Sequence, residues 1–221
     1  MARQVFDGAQ MVVLDALLKL RQVCCDPHLV KGPKGGSHTP ATMERAKMAL
    51  LLQMLPELVA EGRHVLVFSQ FTEMLALVQA ALLALSPPLP FLVLTGDTPP
   101  AARGAVVRQF QAGDKPVLLV SLKVGGVGLN LTTADTVIHL DPWWNPAVQA
   151  QATARAHRIG QHKPVFVYKL VAEGSIEERM LALQARKAAL AEGVLGHDAA
   201  LSPKFSAADL QGLLAPLQDP S

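Results

Sequence analysis

The stretch PVLLVSLKVGGVGLNL, residues 116–131, decides how the rest of the chain is read. Its first part, VLLVS, is an unbroken apolar, β-branched run, the pattern of a strand buried on both faces of a parallel sheet. The loop that follows carries Gly126 and Gly128. Open α/β sheets take their ligands at the carboxyl ends of such strands. Glycine lets backbone N–H groups approach an anion closely there, and Lys123 adds a charge. On spacing alone the signal is moderately specific. Gly126 and Gly128 also give the G-x-G of a dinucleotide turn, but Leu131 stands where the third glycine should be. No acidic residue follows about 20 positions on to hold a ribose, which weakens that reading.

Working outward, the same alternation recurs. Residues 43–60 read as an apolar helix, HVLVFS as a buried strand, Thr72–Leu85 as a helix and FLVL as a strand. TPPAARGAVVRQF predicts a helix with Thr98 as N-cap and Pro99 at its first position. TVIHL and VFVYKLV predict two further strands. Strands alternating with helices imply a parallel sheet covered on both faces, an α/β sandwich of the nucleotide-handling kind. Then GSIEERMLALQARKAAL predicts a helix, with Ser175 and Glu178 spaced as a capping box and Ile176, Met180 and Leu183 on one face. The expected organisation is an N-terminal helix and linker segment over 1–42, the main lobe over 43–172, a helix over 173–195, and a tail over 196–221. In the first segment residues 9–23 are helical in pattern, and DPHLVKGPKGGSHTP is a loop. In the tail SAADLQGLL predicts a short helix capped by Ser206. GPKGGS is no phosphate loop, since no lysine and hydroxyl residue follow its second glycine and no apolar strand leads in.

Composition bounds the function less than pattern does. The chain has 221 residues, half of them hydrophobic, enough for one substantial core. A formal net charge of +2 points to no partner, so any nucleic-acid contact must come from local placement of charge. Cys24 and Cys25 are adjacent, a poor geometry for a disulfide, and read as reduced thiols. The seven histidines lack metal-site spacing, and no structural metal is expected. Met74–Gly96 contains no charged residue, but Pro87, Pro88 and Pro90 cut it into helix, turn and strand rather than a membrane span. No secretion signal is visible, so a soluble, intracellular protein is expected.

QATARAHRIGQ, residues 151–161, sets Arg155 and Arg158 three residues apart after a segment where Pro146 suits a helix first turn. On a helix the two would share a face. Guanidiniums so crowded make most sense with an anion before or between them, although a solvated basic face is the plain alternative. LRQVCCDPHLV, HVLVFSQFTEML, LTGDTPPAARGAVVRQF, VLLVSLKVGGVGLNLTTADTVIHLDPWWNP and QATARAHRIGQ stand in this order along the chain. Together they resemble the second motor lobe of Swi/Snf-type ATPases, DNA translocases of helicase superfamily two, over about residues 17–190, and LDPWWNP resembles the bacterial members most.

The resemblance implies a RecA-like lobe that works with a first lobe, ATP and Mg2+ lying between the two and bound mainly by the first. Arg158, with Arg155 beside it, matches the arginine fingers, and Gln151 opens that motif. A finger of this kind is worth roughly 10³ to 10⁵ in rate, because it meets charge on the transferred phosphoryl group. Gly126, Gly128 and Asn130 match the motif beside the nucleotide. Ser69, Gln70, Thr95, Gly96, Arg103, Ser121 and Lys123 match contacts to the phosphates of one strand of double-stranded DNA. Trp144 matches the tryptophan near the join of the two sites, while Trp143 is extra and expected to pack on the sheet. The helix over 174–190 resembles the brace that ties the lobes together, with Arg179, Arg186 and Lys187 expected in solvent. Two positions depart from the pattern: Ala154 stands where Asp is usual and Gln149 where an acid is common, which weakens the reading of Arg155. Neither a phosphate-loop lysine nor a magnesium-holding acidic pair is present, so half an active site is implied and the chain alone is expected to be inactive. The alternative from another class is a non-catalytic DNA-binding or protein-docking module. If the source is bacterial, cytoplasm and nucleoid are the expected location.

Overall fold

The computed structural model describes residues 2–31, 44–125, 130–156, 163–195, 209 and 212–214. In chain order the elements are α1 (Ala2–Cys25), a 3-10 turn (Pro27–Leu29), α2 (Ala46–Ala60), β1 (Val65–Ser69), α3 (Thr72–Ala84), β2 (Phe91–Leu94), α4 (Pro100–Gln111), β3 (Val117–Ser121), α5 (Leu122–Gly125), β4 (Thr136–His139), α6 (Pro146–Thr153), β5 (Phe166–Lys169) and α7 (Ile176–Leu195). They form two compact units, one of residues 44–143 and 147–170, the other of 1–43, 144–146 and 171–221.

The first unit holds a five-stranded sheet in the order β2-β3-β1-β4-β5. Every pairing is parallel, Val65 standing beside both Val117 and Thr136. This is the parallel α/β sandwich expected from the alternation of elements, and the RecA-like lobe that the resemblance implied. The three central strands are buried at every residue, which is why their sequences run apolar without alternating. Leu66, Phe68, Leu92, Leu94, Leu118, Val120 and Val137 form one core cluster with Phe110 of α4 and Ala152 of α6. The intervening strand residues point to the opposite face, where α2 and α3 pack on the sheet. β5 is an edge strand with all four residues exposed. Trp143 packs against the cluster around Phe68, as its apolar ring suggested.

Two helices of this unit stop the same way. At the end of α2 Arg63 N–H donates to Leu58 and Gly62 N–H to Val59, with Gly62 at φ +77°. At the end of α4 Asp114 N–H donates to Gln109 and Gly113 N–H to Phe110, with Gly113 at φ +81°. Both are six-to-one and five-to-two closures around a left-handed residue, and glycine adopts that conformation without a Cβ clash.

The second unit is built from α1 and α7. Leu17 of α1 lies in a cluster with Ile176, Met180 and Leu183 of α7 and with Leu213, and Trp144 packs on it. Leu17, Arg21 and Cys25 recur four apart and are buried together along α1, while Met11 and Val12 on the other side are 70% exposed. Lys187, expected in solvent, instead pairs with Asp209 at 2.5 Å, and Arg186, 70% exposed, stands 3.8 Å from the same carboxylate. Neither cysteine is in a disulfide. Among the described residues no helix is long and apolar enough to cross a membrane.

The start of α4 differs from expectation by one residue, whereas α7 starts directly after Ser175, as its capping-box spacing predicted. α4 begins at Pro100, not Pro99, and Thr98 caps nothing: its hydroxyl accepts the Thr95 N–H at 3.0 Å, closing the turn instead. At α7 the Ser175 hydroxyl accepts from Glu177 N–H at 3.1 Å, and the carboxylate of Glu178 reaches back to Gly174 N–H rather than to Ser175. The two carboxylates thus tie down the chain entering the helix, Glu177 accepting from Ala172 N–H and Glu178 from Gly174 N–H, both at 2.9 Å. The predicted tail helix and its Ser206 cap lie almost wholly outside the described residues.

Candidate functional site

The carboxyl edge of the sheet gathers most of the residues singled out from the sequence. Its centre is Asp141, two residues beyond β4 and 1% exposed. Its carboxylate accepts from the Ser69 hydroxyl at 2.5 Å and from Gln70 N–H at 3.2 and 3.3 Å. The Ser69 oxygen in turn accepts from Phe71 N–H at 3.0 Å. Lys47, a buried cation on α2, donates to the Leu140 carbonyl at 2.8 Å. Ionised partners make these bonds short and strong, and burial makes each costly to lose. The network therefore fixes the turn after β1 to the segment after β4.

Neighbouring positions are held by their own turns. Arg103 on α4 donates from Nε to the Thr98 carbonyl at 3.0 Å and from Nη2 to the Gly96 carbonyl at 3.5 Å, bracing the loop after β2. Thr95 and Ser121 are buried at the ends of β2 and β3, whereas Gly96 and Lys123 are exposed. Among these positions the surface presents Gly96, Lys123 and the half-buried Gln70, while Ser69 and Ser121 are buried.

The arginine segment departs from its expected form. α6 starts at Pro146, as anticipated, but ends at Thr153, and Arg155 lies in the turn beyond it. Arg155 N–H donates to Ala152 and Ala156 N–H to Thr153, three-residue steps that tighten the chain out of the α-helix. Thr153 donates its hydroxyl to the Gln149 carbonyl at 3.1 Å, a back-bond that bends helices. Arg155 is 4% exposed, so its guanidinium sits inside the fold and not on a solvated helix face. Gln151 is exposed on α6, and Gln149 is buried with an amide nitrogen that makes no hydrogen bond among the described residues. Arg158, Gly126 and Gly128 lie outside the described residues.

The exit of the glycine loop is tied to this turn: Leu131 N–H donates to the Arg155 carbonyl at 3.1 Å. The same exit is held by Gln111, the last residue of α4. Its amide donates to the carbonyl of Asn130 at 3.0 Å and accepts from Thr133 N–H at 2.9 Å. Asn130 itself is exposed. Trp144 belongs to the other unit, where the Arg21 guanidinium lies 4.8 Å from its ring centre and Gln184 donates to its carbonyl at 3.1 Å.

Sequence reasoning missed Asp141, Gln111 and His139. Asp141 carried a signal, an acid immediately after an apolar strand; Gln111 carried none. His139 closes β4 at 1% exposure, stacked on Phe68 with ring centres 5.3 Å apart and planes 19° apart. Burial, and secondly the charge of Lys169, lowers its pKa from 6.5 to about 4, so the imidazole is neutral at physiological pH. Among the described residues no group of three or more His, Cys, Asp or Glu is placed to hold a metal ion. The chemistry available here is cationic and hydrogen-bonding, suited to positioning phosphate.

A five-stranded parallel sheet in this order, with a glycine loop and an arginine turn joined at its carboxyl edge, defines a RecA-like lobe. Residues 46–160 match the helicase conserved C-terminal domain. An uncharacterized ATP-dependent helicase of Mycoplasma pneumoniae is 37% identical over 197 residues, covering 89% of this chain and 18% of that protein. Protein CHROMATIN REMODELING 4 of Arabidopsis thaliana is 41% identical over 186 residues, covering 81% of this chain and 8% of its own length. Among solved structures, the Sulfolobus solfataricus SWI2/SNF2 ATPase core in complex with dsDNA superposes with a TM-score of 0.66 at 32% identity, over 83% of this chain and 37% of that one. The chain belongs to the helicase conserved C-terminal domain family, on its SWI2/SNF2 branch. It spans less than a fifth of the length of these curated relatives.

Proposed function

We propose that this chain is the second motor lobe of an ATP-dependent translocase on double-stranded DNA. The observation that carries the reading is the bond from Leu131 N–H to the Arg155 carbonyl, which makes the glycine-loop exit and the arginine turn one mechanical piece. Such a piece is what a lobe needs if nucleotide state is to be felt by the residues that grip DNA.

In this reading ATP with Mg2+ is held mainly by a first RecA-like lobe, and closure brings Arg158 and Arg155 to the γ-phosphate. Their charge opposes the negative charge spread over the phosphoryl oxygens in the transition state. Arg155, buried and backbone-locked, suits a role in fixing the segment, and Arg158 is the better candidate for direct contact. Gly126, Gly128 and Asn130 line the nucleotide side. Gln70, Gly96 and Lys123 face the DNA backbone, supported by Thr95, Arg103 and Ser121. Ser69 acts indirectly, since its hydroxyl holds Asp141 and thereby sets the Gln70 backbone. Contacts of this type grip phosphate without reading bases, so affinity depends strongly on salt and weakly on sequence. The resemblance assigns Trp144 to the join of the two functions.

The test is DNA-stimulated ATP turnover by a longer protein carrying this lobe together with its first lobe, wild type against Arg158→Ala, with DNA affinity measured in parallel. Loss of about a hundredfold or more in turnover with binding retained is expected. Near-normal turnover would overturn the finger role and favour a non-catalytic binding module.

A further inference from the structure

His139 has no part in the reading above, yet its surroundings are specific. Its Nε2 lies 2.9 Å from the hydroxyl oxygen of Thr153, the last residue of α6. That hydroxyl has a single proton and directs it to the Gln149 carbonyl at 3.1 Å. The Thr153 oxygen is therefore the acceptor, and the imidazole donates from Nε2–H. Nδ1 is then a bare acceptor, buried and without a hydrogen-bond partner. The opposite arrangement would bury an unmet N–H instead, the rarer defect in folded proteins. The ring is clamped from the other side by Phe68, its β1 neighbour in register.

Thr153 is also where the chain leaves the helix. Its carbonyl accepts from Ala156 N–H, Arg155 follows two residues on, and the Arg155 carbonyl receives Leu131 N–H. A rigid strand end thus holds the exact residue from which the arginine turn departs. We propose that His139 is a positioning residue, whose Nε2–H fixes Thr153 and through it sets the direction of the Arg155 turn and the exit of the glycine loop. The inference rests on the motor-lobe reading for its consequence in turnover, but not for its geometry.

Two measurements test it. In this chain, nitrogen-detected NMR of the imidazole should show the Nε2–H tautomer, and Thr153→Val should shift the backbone amides of Arg155 and Leu131. An Nδ1–H tautomer, or unmoved amides, overturns the proposal whatever the enzyme does. In the longer protein, His139→Phe keeps the stack but loses the donor, and Thr153→Val removes the acceptor. Each should lower kcat by about tenfold while KM for ATP stays within about twofold, the pattern of a misplaced catalytic group. The double variant should be no worse than either single one, and His139→Gln, whose amide offers an N–H at a similar reach, should restore turnover. Additive losses, or full kcat in Thr153→Val, overturn it. Arg155→Ala and Arg158→Ala run alongside: if both turn over normally, the finger reading has failed, and the amide shifts alone decide the positioning role.

Discussion

Acidification should destabilise this fold through one side chain. The His139 imidazole titrates at about 4 in the folded protein against an ordinary 6.5, because burial disfavours its charged form and the charge of Lys169 adds to that. The unfolded chain therefore takes up the proton first as pH falls. Stability from this group is fully present above pH 6.5 and is lost progressively as pH drops toward about 4. The whole difference amounts to about 3 kcal/mol, of which about 2.5 kcal/mol is lost between pH 7.5 and 4.5. That is a large share of the roughly 5–15 kcal/mol that holds a typical domain folded. Urea unfolding at the two pH values, wild type against His139→Phe, isolates the contribution, since the carboxylates common to both proteins cancel in the comparison. Wild type should lose about 2.5 kcal/mol more than the variant over this interval. Equal losses would show that the imidazole is not held neutral by burial and would refute the reasoning.

Two further outcomes follow from the geometry. Ser69→Ala should cost about 1–3 kcal/mol in urea unfolding at neutral pH, because it takes a donor from the buried Asp141 carboxylate and frees the turn at Gln70; a loss under a few tenths would show that water or another donor replaces the hydroxyl. Gly62→Ala should cost about 1–2 kcal/mol purely from backbone strain, since φ is +77° and an added Cβ meets nothing within 4 Å, so an unchanged thermal midpoint would contradict the left-handed closure of α2.

The parallel sheet was legible because its central strands carry their burial in their own composition. VLVFS and VLLVS have no polar residue before the terminal serine, and only a strand covered on both faces reads that way. The glycines after β3 and the arginines after α6 stood out for another reason: their residue types and spacing resemble those of motifs that handle phosphate. The start of α4 was misjudged by one position, since several polar residues near it can meet the same free N–H groups and local spacing does not choose among them, while the start of α7 after Ser175 was legible from its cap.

By itself, the sequence determined the alternation of strands and helices, the family, and the residue types at the carboxyl edge. Hydrophobic period and motif spacing are properties of neighbours in the chain. Only the tertiary structure decided which of those residues are engaged with one another. Ser69 and Asp141 are 72 residues apart, Lys47 and Leu140 are 93 apart, and each pair meets because β1, α2 and β4 are brought together by the sheet. It also decided that Arg155 turns inward after α6 and that His139 lies under the turn. A hydrogen bond between distant residues depends on where the sheet places two strand ends, and no pattern along the chain records that distance.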